Sequence, residues 1–328
     1  MYTQAYHEGD ISSLRFLITG GAGFIGSNIV EYLLKHGAKV RVLDNLSNGY
    51  YRNIKPFEGN SGFEFWEGDI RDYNTCQKAV QGIDYVSHQA ALGSVPRSIR
   101  DPLTTNAVNI DGFLNVLHAV KENRSVKRMV YATSSSVYGD TPSLPKVEGQ
   151  EGEPLSPYAV SKQVNEFYAE VYSKVYRMNA IGLRYFNVFG PRQAPDNPYA
   201  AAIPIFLKAA IDGKAPTING DGETTRDFTF VANAVQANIK GMLNTVELQK
   251  HEVMNIALGE KISLNKLWES ICQIIGTHIE PHYGQERPGD VRDSLADISK
   301  AIRIIGYNPQ VKVAEGLGDT YEYVRDNF

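Results

Sequence analysis

Tyr158 and Lys162 stand four residues apart in Pro157-Tyr158-Ala159-Val160-Ser161-Lys162. On a helix that spacing puts both on one face. An ammonium beside a phenol favours the phenolate, lowering a pKa that is about 10 when unperturbed. Such a phenol can take a proton from a substrate hydroxyl while hydride leaves the same carbon. The chain holds 19 tyrosines, so the pair alone is weak. Its weight comes from an upstream motif, Thr19-Gly20-Gly21-Ala22-Gly23-Phe24-Ile25-Gly26, which ends an apolar run and opens a helix-like stretch to His36. Glycines at 20, 23 and 26 suit a turn where a pyrophosphate meets bare backbone and a helix N-terminus. The next run ends in Asp44-Asn45. A carboxylate there accepts bonds from the adenine ribose and repels a 2′-phosphate, which favours NAD over NADP.

Elements that would position these residues alternate along the first half. Short apolar runs at 15–19, 39–43, 63–66, 85–88, 128–132 and 180–186 are separated by helix-length segments. This is the pattern of an α/β fold with a doubly wound, Rossmann-type parallel sheet. Ligands of such sheets bind at the carboxyl ends of the strands. Asp69 and Ile70 after the third run, and Gln89, Ala90 and Ala91 after the fourth, are therefore cofactor candidates. Beyond residue 186 the texture changes, with Pro191, Pro195, Pro198, Pro204 and Pro216 and a turn at Gly220-Asp221-Gly222. The expected division is a cofactor domain over 1–186 and a smaller C-terminal α/β substrate domain over 187–328. Segment 228–257 reads as helix then strand, returning to the first domain.

The chain has 328 residues, 42% hydrophobic and 21% charged, with a formal net charge of −4. That charge gives no footprint for nucleic acid or an anionic membrane. No apolar run is long enough to cross a bilayer, and the start of the chain lacks the features of a signal peptide. Cys76 and Cys272 lie far apart, which suits a reduced cytoplasmic setting. No metal is expected.

The glycine motif, the cluster Thr133-Ser134-Ser135-Ser136-Val137-Tyr138-Gly139 and Tyr158 with Lys162 together resemble the extended short-chain dehydrogenases that modify nucleotide sugars. The resemblance spans essentially the whole chain. It implies that Ser134 bonds the reacting oxygen and relays its proton, with Ser135 and Ser136 sharing that role. It implies too that Lys162 holds the nicotinamide ribose. Dehydratases and the glucuronate decarboxylase of the family carry an acidic residue just before Val-Tyr-Gly; serine stands there here, which is similar to the 4-epimerases. Their cofactor takes hydride from C4 and returns it to the other face, with no net redox.

For a UDP-sugar substrate the resemblance implies contacts from Gly93, Ser94 and Val95, from Asn187, Gln193 and Ala201, and from Arg226 and Arg292 as phosphate clamps, a task that suits guanidinium forks. Anchored on Gly289-Asp290 and Ala296-Asp297, Ser294 falls where galactose-specific members carry a bulky tyrosine, leaving room for a 2-acetamido group. The full pattern is similar to the 4-epimerases of UDP-N-acetylhexosamines in polysaccharide or O-antigen synthesis. UDP-glucose and UDP-uronic acids are the alternatives, followed by a net oxidoreductase and a catalytically dead NAD sensor. Helical spacing of Val164, Phe167, Tyr168, Val171, Tyr172 and Val175 reads as a core stripe. By resemblance this helix pairs with one near 103–120 in a homodimer.

Overall fold

The computed structural model describes residues 1–194, 201–246, 248, 251–286 and 292–327. Pro195, Pro198 and the Arg287-Pro288-Gly289-Asp290-Val291 part of the phosphate motif lie outside the described residues. Seven parallel strands form one sheet: β1 (Arg15–Thr19), β2 (Lys39–Asp44), β3 (Phe63–Glu67), β4 (Tyr85–His88), β5 (Arg128–Ser134), β6 (Ala180–Tyr185) and β7 (Glu252–Ile256). Their spatial order is β7-β6-β5-β4-β1-β2-β3. The order reverses between β1 and β4, and a crevice opens at the carboxyl ends there. Both faces are covered, so strands such as β6 are buried throughout and read as unbroken apolar runs.

Helix α1 (Phe24–Lys35) and helix α3 (Val231–Leu243) pack together on one face. On the other, helix α2 (Pro157–Tyr176) lies against Gly112–Glu122, which in turn contacts Tyr73–Ala79. Two apolar clusters result, one centred on Phe16, Ile29 and Val235 and one on Leu17, Phe113 and Tyr131. Strand β7 follows α3 and pairs with β6 from Glu252↔Ile181 to Ile256↔Tyr185.

Two expectations change. The span 103–120 is not one regular helix, because a π turn at Ala107–Asp111 separates Pro102–Asn106 from Gly112–Glu122. The α2 stripe is not core either: Phe167 is 57% exposed, Val171 51% and Val175 62%. Within α2 it is the small and polar Ala159, Ser161, Lys162, Asn165, Glu166 and Ala169 that turn inward. Among the described residues no helix is long and apolar enough to cross a membrane.

Candidate active site

A cleft of about 500 Å³ opens where β1 and β4 part. Its first wall is the turn between β1 and α1. Gly20 has φ +68°, and a Cβ there would stand 2.6 Å from Ala90 N. At Gly26 a Cβ would meet Gly20 O at 2.2 Å. Both positions therefore require glycine, and the bare backbone between them is a cradle that fits a dinucleotide pyrophosphate. The Asp44 carboxylate accepts from Ala22 N (3.0 Å) and Leu46 N (2.8 Å), tying the end of β2 to that turn. Burial raises its pKa, and those two N–H bonds oppose the rise. Asp69 is held down to about 2, chiefly by Arg71, and accepts from Asn45 at 2.8 Å.

Gln89 sits in a closed polar ring. Its Nε2 donates to Ser87 (2.9 Å) and Asn238 (3.0 Å), while Tyr185 donates to its Oε1 (3.2 Å) and Asn238 donates to Tyr185 (2.7 Å). Gln89 is thereby held from β4, β6 and α3 at once. Spacing gives no signal of Asn238 or Tyr185, because the ring closes across some 150 residues of chain.

The proton-transfer groups lie at the ends of β5 and the start of α2. Ser156 caps α2 by accepting from Ala159 N (3.2 Å), and Pro157 opens it, a favoured start. Tyr158 falls in the first turn, its N–H donating to Ser98 Oγ (3.1 Å). The Ser134 hydroxyl accepts from Ser136 N (3.1 Å) and pulls the pKa of the Tyr158 phenol down. Lys162 is 2% exposed, donates to Ala132 O (2.8 Å) and stands 5.9 Å from the Tyr158 ring centre. The expected drop in the phenol pKa is not the outcome: burial raises Tyr158, with only Ser134 pulling down. Nζ is directed at a β5 carbonyl, and desolvation lowers Lys162 itself to about 8, against the opposing pull of Glu166. Below this layer Arg184 makes a two-pronged bond to Glu166 (2.9 and 2.6 Å) and also pairs with Glu151, while Thr133 donates to Glu166 (2.7 Å). Such a buried pair orders α2 against β5 and β6 more than it stabilises the fold.

Among the residues singled out by sequence, Gly20, Gly23, Phe24, Ile25, Gly26, Asp44, Asn45, Asp69, Ile70, Gln89, Ala90, Ala91, Gly93, Val95, Ser134, Ser135, Ser136, Tyr158, Lys162 and Asn187 line this one cleft. The Ser136 hydroxyl is buried with no hydrogen-bond partner among the described residues. Six others are not brought to the lining. Ser94 spends its hydroxyl capping Val95–Arg100, accepting from Arg97 N (3.2 Å). Gln193 turns back to donate to Val188 O (3.2 Å), and Ala201 is exposed just before the helix Ala202–Ile211. Arg226 donates to Thr225 O (2.8 Å). Arg292 is 55% exposed and paired with Asp221 (2.7 Å), and half-buried Ser294 lies two residues on. The lining also includes Asn48, Tyr50 and Arg192, which the sequence reading missed. Arg192 follows the Gly190-Pro191 turn and pairs with Glu31 of α1, a contact that appears only after folding.

The model of the NAD dependent epimerase/dehydratase family matches residues 16–257. The chain belongs to that family. NAD is its cofactor. Relatives share nearly the full length. A UDP-glucose 4-epimerase of Mycolicibacterium smegmatis is 36% identical, over 95% of this chain and 99% of its own. The structure of a UDP-N-acetylglucosamine 4-epimerase from Methanobrevibacter ruminantium M1, in complex with UDP-N-acetylmuramic acid, superposes with a TM-score of 0.90 at 39% identity (96% and 99% covered). A UDP-glucuronic acid 4-epimerase from Bacillus cereus, in complex with UDP-glucuronic acid and NAD, superposes at 0.88 with 33% identity (96% and 100% covered).

Proposed function

We propose that this family member is a UDP-sugar 4-epimerase whose substrate pair is UDP-N-acetylglucosamine and UDP-N-acetylgalactosamine. The observation that carries the epimerase reading is that Ser134, Tyr158 and Lys162 line the same cleft as the dinucleotide cradle. Bound NAD supplies the hydride acceptor and later donor at C4. Burial alone keeps Tyr158 a neutral phenol, so it acts as the base in the phenolate form that the positive charge of oxidised nicotinamide would favour. That phenolate takes the proton of the C4 hydroxyl through or beside Ser134 and returns it when the opposite face is reduced. Lys162, fixed on Ala132 O, lies beside that phenol to hold the cofactor ribose. Positions 134–136 offer hydroxyls only, so no carboxylate stands there to drive elimination of water.

One observation favours a neutral sugar over a uronic acid. The cations that line the cleft among the described residues are Lys162 and Arg192, and both are engaged, one by Ala132 O and the other by Glu31. A sugar carboxylate would lack a free cationic partner there. The N-acetylated reading is supported by likeness to the UDP-N-acetylglucosamine 4-epimerase from Methanobrevibacter ruminantium M1. Ser294 supports it through its place in the motif, while the structure leaves it outside the cleft lining. The exposed apolar face of α2 supports a homodimer formed through that helix. Incubation with UDP-N-acetylglucosamine, UDP-glucose and UDP-glucuronate, products resolved by NMR, tests the reading. Epimerisation of the acetylated sugar without added NADH is expected. Preferred turnover of UDP-glucuronate, or NADH accumulating in step with product, would overturn it.

A further inference from the structure

The run 292–297 carries Arg292 and Ser294 and is pinned along its length. From one side Thr225 donates its N–H to Arg292 O (2.9 Å) and its hydroxyl to Asp293 (2.6 Å). Fully buried Asp227 accepts from Ala296 N (3.2 Å) while also accepting from Leu258 N and Gly259 N (3.0 and 3.1 Å). From the other side Lys146 N donates to Leu295 O (2.7 Å), and Asp297 N donates to Lys146 O (3.0 Å).

Asn255, on β7 and 0% exposed, joins this run to the serine turn. Its Nδ2 donates to Lys146 O (2.9 Å) and Asp297 O (3.0 Å), and its Oδ1 accepts from the Tyr138 hydroxyl (2.7 Å). Tyr138 ends the single turn Ser135–Tyr138 that begins directly after Ser134. We infer that Asn255 is a positioning residue that sets the run 292–297 against the serine turn, and so sets the grip on the UDP moiety relative to the reacting hydroxyls. A planar amide with three short bonds fixes that separation closely, and misplacement of about 1 Å is enough to cost a reaction heavily. The NAD cradle is built on β1, β2 and β4 and does not contact Asn255, so the two ligands report separately. The inference rests on the sugar-nucleotide reading, in which Arg292 clamps phosphate.

The test is UDP affinity by calorimetry, alongside bound NAD content and thermal stability, in wild type, Asn255→Asp and Tyr138→Phe. Asn255→Asp keeps shape and acceptor but turns an oxygen toward two carbonyls. It should weaken UDP about tenfold while NAD content holds. Tyr138→Phe removes the third bond alone and should weaken UDP by a smaller factor, about threefold. UDP affinity unchanged in a folded Asn255→Asp overturns the inference, as does parallel loss of UDP and NAD. Should Asn255→Asp not fold, Tyr138→Phe decides by the same criterion. A wild type that binds UDP but turns over no UDP-sugar would sink the epimerase reading and leave this inference standing on its affinities; one that binds no UDP would sink both.

Discussion

The sheet edge that lines the cleft and the short pieces toward the C-terminus are built differently. The cofactor wall consists of consecutive strand ends of one parallel sheet, Gly20, Asp44, Gly68 and Gln89, each at the carboxyl edge its strand dictates. Asp44 there is buried and bonded to the backbone of Ala22 and Leu46, and Gln89 is held by the side chains of Ser87, Asn238 and Tyr185. The C-terminal region is a set of short pieces, such as Thr225–Arg226 with Ile262–Ser263 and the run 292–297, held to one another by Asp227 and Asn255. Its arginines are partly exposed and paired with surface acids or carbonyls. On the proposed reading, a rigid sheet preorganises the hydride chemistry, whereas the grip on the sugar nucleotide depends on bonds between remote segments. Substitutions in the first region should abolish chemistry, and those in the second should shift affinity.

The largest effect expected from this contrast is at Tyr158. Tyr158→Phe keeps the ring and loses the hydroxyl, so turnover should fall about 10²–10⁴-fold with KM little changed. Near-normal turnover by a folded variant would show that another group moves the proton. Next is Gly26→Ala, whose Cβ would press on Gly20 O at 2.2 Å. The turn must open, and bound NAD should drop by about tenfold or more, as a clash of 1–3 kcal/mol implies. Full NAD retention would mean that the cradle is softer than the sheet makes it.

In the C-terminal region, if substrate meets the run 292–297 as proposed, Ser294→Tyr should cut the kcat/KM ratio of UDP-N-acetylglucosamine to UDP-glucose by roughly tenfold to a hundredfold. An unchanged ratio would take Ser294 out of the sugar pocket. The pH profile probes the cofactor wall more gently. Burial lowers Lys162 to about 8, so its charge is present at pH 7 and lost as pH rises through that value. An alkaline limb in kcat/KM is expected with its midpoint no higher than about 8, falling up to about tenfold per unit above it. A profile flat to pH 10 would show that the ammonium is dispensable. Smallest is Arg292→Ala. In the structure its partner is Asp221 on the surface, a kind of pair worth about 0–1 kcal/mol. Stability should hardly move, while KM for the sugar nucleotide rises a few-fold, about what one exposed charge-assisted bond supplies. A KM left at the wild-type value would confine Arg292 to its surface pair.

Legibility in the sequence follows the same division. The six apolar runs fall within two residues of β1 to β6, because the central strands are buried on both faces and are largely apolar, while edge strand β3 interleaves apolar and acidic residues. The glycine cradle is equally visible, since Gly20 and Gly26 answer to contacts within one turn. What escaped is long-range. The α2 stripe reads as core by periodicity, yet it is solvent-facing in the monomer, because α2 buries its small and polar face around Lys162 and Glu166. Ser94 looks like a pocket residue but is consumed as a cap.

By itself the sequence determined the sheet, the cradle and the identities of Ser134, Tyr158 and Lys162, because each depends on periodicity or on residues within a few positions of one another. Only the tertiary structure decided where Lys162 points, which way burial moves the Tyr158 phenol, that Asn238 and Tyr185 lock Gln89, and that Asn255 ties the run 292–297 to the serine turn. Those properties are set by desolvation and by hydrogen bonds across tens to more than a hundred residues, and local residue type carries no record of which distant partner folding will supply.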